Sequence, residues 1–191
     1  MKAAVKVEAK GDNLMRLERL TIAAALALLL SPLVCPATPT PARADSPRAA
    51  RLNVSLDNDW RFLKGDAEGA ERPEFDDSAW RRLDVPHDWS IEGPFDEANP
   101  TGKAGGYLPA GVGWYRKRFT LRAGERARRV FVEFDGVMAN SDVWVNGLHL
   151  GRRPYGYVSF RYELTGHVNF GPDRPNVIAV RADNSGQPAS R

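Results

Sequence analysis

The sequence predicts an all-β fold of two packed antiparallel sheets, and three observations carry the prediction. After Arg51 apolar residues alternate with polar ones in about eight short runs. Gly, Pro, Asn and Asp separate those runs, and beyond Asp45 no apolar repeat at helical spacing lasts more than about two turns. A period of two sends successive side chains to opposite faces, so each run buries one face and wets the other. Many such runs without intervening helices close a core as a β-sandwich.

Taken in order, Leu52, Val54 and Leu56 alternate with polar neighbours, and Trp60 and Phe62 flank Arg61. Tyr115, Lys117, Phe119 and Leu121 oppose Trp114, Arg116, Arg118 and Thr120; Val130, Val132 and Phe134 oppose Phe131, Glu133 and Asp135. Val143-Trp144-Val145 runs into Asn146-Gly147, a pair suited to the positive φ angles of a tight hairpin turn, and the chain returns through Leu148 and Leu150. Val158, Phe160, Tyr162 and Leu164 alternate again, as do Val177 to Ala182. Phe75 to Trp80 has the spacing of a single helical turn, with Asp76-Asp77 placed to cap it. The interval from Asp88 to Gly113 is rich in glycine and proline and reads as one long loop, a length that marks function or disorder. Trp60, Trp80 and Trp144 fit core positions, while Trp89 and Trp114 flank the loop.

Residues 1–44 read as an export leader. Arg16 and Arg19 precede the apolar run Leu20 to Leu30, and Ala42-Arg43-Ala44 offers a small-residue cleavage site before Asp45. The run is shorter than the roughly 20 residues of a membrane span, so the expectation is a secreted or periplasmic protein. Residues 45–50 form a linker and residues 51–191 one folded domain; the chain is too short to add a second large one. The single cysteine, Cys35, lies in the leader, so apolar burial rather than disulfides must hold the domain. The leader carries six Lys/Arg against three Asp/Glu, leaving 21 of each in the remainder. That neutral remainder lacks the positive footprint of a nucleic-acid binder.

The chemistry of a complete enzyme is hard to find in these residues. No Gly-x-Ser-x-Gly elbow occurs, and His87, His149 and His167 stand far apart without the spacing of a metal site. Gly111-Val-Gly113 leads into a strand instead of a helix, which removes a nucleotide-binding reading. No metal and no cofactor is expected.

Five blocks, in order, carry a family resemblance. They are Asp76-Asp77-Ser78-Ala79-Trp80 through Pro86-His87-Asp88-Trp89; Gly113-Trp114-Tyr115-Arg116-Lys117-Arg118-Phe119; Phe134-Asp135-Gly136-Val137 with Asn140 and Val143 to Gly147; Leu150-Gly151 with Tyr155-Gly156-Tyr157; and Val180 to Ser185 with Gln187-Pro188. Together they resemble the N-terminal sugar-binding domain of family-2 glycoside hydrolases of the β-galactosidase type. The resemblance implies a jelly-roll, galactose-binding-like sandwich over Arg51 to Arg191. It also implies that hydrolysis of O-glycosyl bonds belongs to a catalytic barrel that normally follows, so the expected partners are a carbohydrate and the missing C-terminal catalytic domains. The chain then reads as a fragment with no catalytic residue of its own. Tyr107, Asp183, Asn184 and Arg191 are the substrate-binding candidates by this resemblance, since the long loop and the exit of the last strand reach the sugar pocket in related enzymes. Tyr107 could equally pack on the sandwich, and Asp183 and Asn184 could simply turn the chain. A free-standing carbohydrate-binding module without catalysis is the competing expectation, and a protein-adhesion module ranks behind it.

Overall fold

The computed structural model describes residues 3–8 and 51–186, and within them the fold is two antiparallel sheets. The strands are β1 (Ala3–Glu8), β2 (Leu52–Ser55), β3 (Trp60–Lys64), β4 (Arg81–Leu83), β5 (Val112–Phe119), β6 (Arg129–Phe134), β7 (Ser141–Val145), β8 (Leu148–Arg153), β9 (Phe160–Glu163) and β10 (Asn176–Asp183). One sheet runs β2-β1-β6-β9 and the other β4-β3-β5-β10-β7-β8. Among the described residues no helix is long and apolar enough to cross a membrane. The predicted sandwich is therefore present, and β2, β3 and β5 to β10 lie within a few residues of the alternating runs.

The two sheets enclose the main core. Trp60, Val130, Val132, Phe134, Val143, Val145, Leu164, Ile178 and Val180 are fully buried between them, each side chain contributing roughly 1.5–3 kcal/mol by leaving water. A second, smaller apolar layer lies on the outer side of the six-stranded sheet, where Ala70, Trp80, Trp114 and Ala179 are buried with Trp144 and Phe75 against them. The segment between β3 and β4 covers that layer, and Arg116 ties it down. This side chain is fully buried; its Nε donates to Asp77 Oδ2 at 2.8 Å, and its terminal nitrogens donate to the carbonyls of Ala70, Arg72 and Phe75.

Three expectations change here. Phe75 to Trp80 forms a turn rather than a helical one: Asp76 accepts the Ser78 N–H at 2.9 Å, while Asp77 turns inward to Arg116. Trp144 sits half-buried on the outer face, stacked on Trp114 with ring centroids 5.3 Å apart, instead of in the main core. The third change is the start of the fold, since Ala3–Glu8, inside the expected leader, is a strand of the four-stranded sheet. The apolar run, the cleavage site, Cys35, the linker and Gln187-Pro188 lie outside the described residues.

The predicted hairpin is present, with φ of 49° at Asn146 and 83° at Gly147. Asn146 does more than turn the chain: Nδ2 donates to His167 O (2.8 Å) and Asn176 Oδ1 (2.9 Å), and Oδ1 accepts the Val177 N–H (2.9 Å). Asn146→Ala removes all three bonds at a left-handed position, and a loss of about 2 kcal/mol or more is expected in urea unfolding.

Candidate functional site

The long loop between β4 and β5 is ordered by its own polar groups. Asp88 accepts the Ser90 N–H at 2.9 Å and starts the 3₁₀ turn Trp89–Glu92. Asn99 Nδ2 donates to the carbonyl of Tyr107 at 2.8 Å, and Thr101 Oγ1 donates to that of Leu108 at 2.7 Å. Trp89, only 5 % exposed, packs where Gly113 leaves room for it: a Cβ on Gly113 would stand 2.9 Å from the indole nitrogen. Lys64 Nζ lies over the same ring, 5.1 Å from its centroid.

Between this loop, the β6–β7 connection and the β8–β9 connection lies a cavity of about 490 Å³. Its wall includes His87, Asp88, Trp89, Ser90, Thr101, Leu108, Tyr115, Met138, Tyr157 and Asn184. Polar and aromatic groups thus face one space in the size range of small-molecule sites. Among the described residues Asp88 is the one carboxylate in that wall, whereas glycosidic hydrolysis works through a pair of carboxyl groups.

Within the wall, His87 is held on both ring nitrogens. Nδ1 is 2.9 Å from the Tyr115 hydroxyl and Nε2 is 3.1 Å from Glu92 Oε1, while Arg81 directs two N–H groups to Glu92 at 2.9 and 2.5 Å. Arg81 Nη2, which can only donate, also stands 3.1 Å from His87 Nε2, so that nitrogen meets a donor and an acceptor and either tautomer keeps both ring nitrogens bonded. Burial, reinforced by the charges of Asp88 and Glu92, pushes the Tyr115 phenol well above its usual range, so it stays neutral. Held on both ring nitrogens, His87 fixes the start of the loop to β5 and to Glu92.

Hydrogen bonds from Arg81 and then His87 hold Glu92 at about 2, and those from Arg129 and Thr165 hold Glu163 at about 2. Both carboxyls are depressed in the folded state, so their contribution is complete above the ordinary value of 4.5 and is lost as pH falls toward 2. Both pairs are partly exposed, which keeps the effect modest. The melting temperature is expected to fall between pH 5 and pH 2.5, and Arg81→Gln to flatten that fall.

The four candidates separate in space. Asn184 lines the cavity; its Oδ1 accepts the Gly111 N–H at 2.8 Å and its Nδ2 donates to Ser90 Oγ at 3.3 Å, so it laces the loop to the end of β10. Asp183 is turned to Ser185, whose N–H and hydroxyl it accepts at 3.0 and 2.5 Å, with Arg181 3.4 Å away; it lies outside the cavity wall. Tyr107, at φ 55°, is also outside that wall and holds the loop through its backbone, accepting from Asn99 and Asp96. Arg191 lies outside the described residues. Thr101 and Leu108 lie in the long loop and Tyr157 in one of the five blocks, but nothing in the sequence marks them or Met138 as site residues; they meet because three connections converge.

No protein-family profile matches the chain. Individual relatives do. It is 54 % identical over 141 residues to the β-galactosidase BoGH2A of Bacteroides ovatus, covering 74 % of this chain and 16 % of that protein. It is 42 % identical over 143 residues to a putative β-glucuronidase of Formosa agariphila, covering 75 % and 14 %. Among solved structures, a glycosyl hydrolase family 2 member from Bacteroides cellulosilyticus superposes with a TM-score of 0.66 at 42 % identity, over 69 % of this chain and 17 % of that one. A β-glycosidase from Bacteroides vulgatus gives 0.64 at 45 % identity, over 67 % and 16 %. The chain therefore spans about a sixth of the length of these relatives. In sequence and in fold alike, it corresponds to the N-terminal β-sandwich domain of the family-2 glycoside hydrolases.

Proposed function

We propose that this chain is the accessory sandwich of a family-2 glycoside hydrolase, forming one wall of a saccharide pocket whose reacting carboxyls are supplied by a catalytic domain. The observation that carries the reading is the cavity mouth. Among the described residues it holds a single carboxylate, and the loops around it leave Ile91, Phe95, Tyr155, Tyr157 and Val158 more than half exposed. Apolar groups gathered at one end of a soluble fold mark a contact surface, and here that surface adjoins the polar cavity. Asn184, Ser90 and Thr101 supply hydrogen-bonding groups, and Tyr157 an aromatic face, for a sugar seated against the wall. A β-galactoside is the preferred substrate class, because the relative at 54 % identity is a β-galactosidase; the glucuronidases among the relatives make a β-glucuronide the alternative. The leader supports export to the periplasm or beyond, which N-terminal sequencing of the mature product would test.

Replacing the matching 141-residue region of the Bacteroides ovatus enzyme with residues of this chain tests the role. The chimera is expected to regain galactoside turnover that a deletion of the same region lacks; a chimera that folds yet stays as inactive as the deletion overturns it. The exposed Tyr157 on the cavity wall favours a second reading, a free-standing carbohydrate-binding module. That reading requires measurable heat when the isolated chain is titrated with galactosides.

A further inference from the structure

Strands β5 and β10 carry a different set of groups on their other face. Tyr115 and Ala182 turn toward the cavity already described, while their neighbours Trp114 and Arg181, which lie opposite each other across the two strands, turn to the outer side of the six-stranded sheet. There they line an open groove of about 900 Å³ between the segment that follows β3 and the β7–β8 hairpin. Among the described residues it shares no lining side chain with the cavity. Three rings form a row along it. Trp114 is only 4 % exposed, Trp144 stacks on it, and the half-exposed His149 follows with its centroid 5.1 Å from that of Trp144. Ala179 lies opposite Trp144 on β10, and its small side chain is buried with both indoles against it.

The polar groups around the rings are already held in place. Asp66 accepts from Trp114 Nε1 at 2.7 Å and from Arg181 Nη2 and Nε at 2.8 and 3.1 Å. Asp142 accepts from His149 Nε2 at 2.9 Å with Arg152 3.9 Å away, and Glu71 stands 3.7 Å from Arg72. With Glu68, four carboxylates thus stand against three guanidiniums. That balance disfavours an anion, and carboxylates already paired hold little attraction for a bare cation. What remains is a set of donors and acceptors at fixed places beside an aromatic surface. Those are the groups that suit a ligand with many hydroxyls and an apolar C–H face.

We propose that this groove is a second saccharide-binding site, for a neutral oligosaccharide, on the face of the sheet opposite the cavity. The rings take the C–H face of a pyranose, and the Asp66–Arg181 and Asp142–His149 pairs exchange hydrogen bonds with its hydroxyls. The site needs no catalytic domain, so it can fail while the proposed function stands, and the reverse.

Titration of the full chain with galactotetraose, cellotetraose and mannotetraose, followed by calorimetry and tryptophan fluorescence, tests the assignment. At least one is expected to bind saturably, with an affinity that changes less than about twofold between about 0.05 and 0.5 M salt, as for an uncharged ligand. Trp144→Ala should weaken that binding about tenfold, the size of one lost aromatic contact, and Trp144→Phe should restore part of it. His149→Ala should weaken it at least about threefold and leave the melting temperature in place, which separates a lost contact from a lost fold. A tetragalacturonate should bind more weakly than the neutral sugar. Absence of saturable binding by all three neutral sugars overturns the proposal, as does equal or tighter binding of the uronate. Heat that is unchanged in both Trp144→Ala and His149→Ala belongs to the cavity and overturns it as well.

Discussion

Replacing Arg116 with alanine is expected to destabilise the sandwich by about 3–5 kcal/mol, measured by urea unfolding of the full chain. The size follows from what is left behind. Arg116 is fully buried, and its removal strands the Asp77 carboxylate, 10 % exposed, together with the carbonyls of Ala70, Arg72 and Phe75. Arg118 is the next cation to Asp77, at 4.0 Å and half exposed, and replaces little of the loss. Arg116→Lys keeps the charge but cannot reach an acid and three carbonyls from one ammonium, so it should recover only part of the stability. The unfolding slope should also change if the segment over the outer layer detaches first. A loss below about 1 kcal/mol for the alanine variant would mean that this segment is held by Trp80 and Phe75 instead.

Trp89→Ala is expected to act on both stability and binding. The indole is 5 % exposed, fitted over Gly113 and beneath Lys64, and forms part of the cavity wall. Truncating a buried tryptophan costs about 3–5 kcal/mol, the lower end applying here because the cavity beside it lets the loop relax. In a chimera with a catalytic domain, the same change should raise KM for the galactoside more than it lowers kcat, since the wall positions sugar without touching the scissile bond. A kcat loss with KM unchanged would put Trp89 closer to the chemistry than its place in the wall implies.

Much of the fold was legible because alternation records a half-buried strand directly. Val130-Phe131-Val132 and Val143-Trp144-Val145 became β6 and β7, and Asn146-Gly147 took the left-handed angles its residues favour. The misses have physical causes. β4 is only Arg81–Leu83, two charged residues and a leucine with no apolar period to detect. β1 does alternate, with Val5 and Val7 among Ala4, Lys6 and Glu8, but a charged lead-in to an apolar run has the same composition. Asp77 was read as a cap because nothing local shows that Arg116, distant in sequence, would come to it across the sheet. The candidate site was legible in part for the same reason. Asn184 reaches the cavity because β10 ends beside the long loop, whereas Thr101, Leu108, Met138 and Tyr157 are placed there by loop convergence alone.

In the proposed function the sandwich supplies a wall and a catalytic domain supplies the reacting carboxyls. Incubation of the purified chain with a chromogenic β-galactoside, beside an equimolar amount of the chimera, measures this directly. Turnover is expected from the chimera and none above buffer from the chain alone; sustained, enzyme-concentration-dependent hydrolysis by the chain alone would contradict this division of roles.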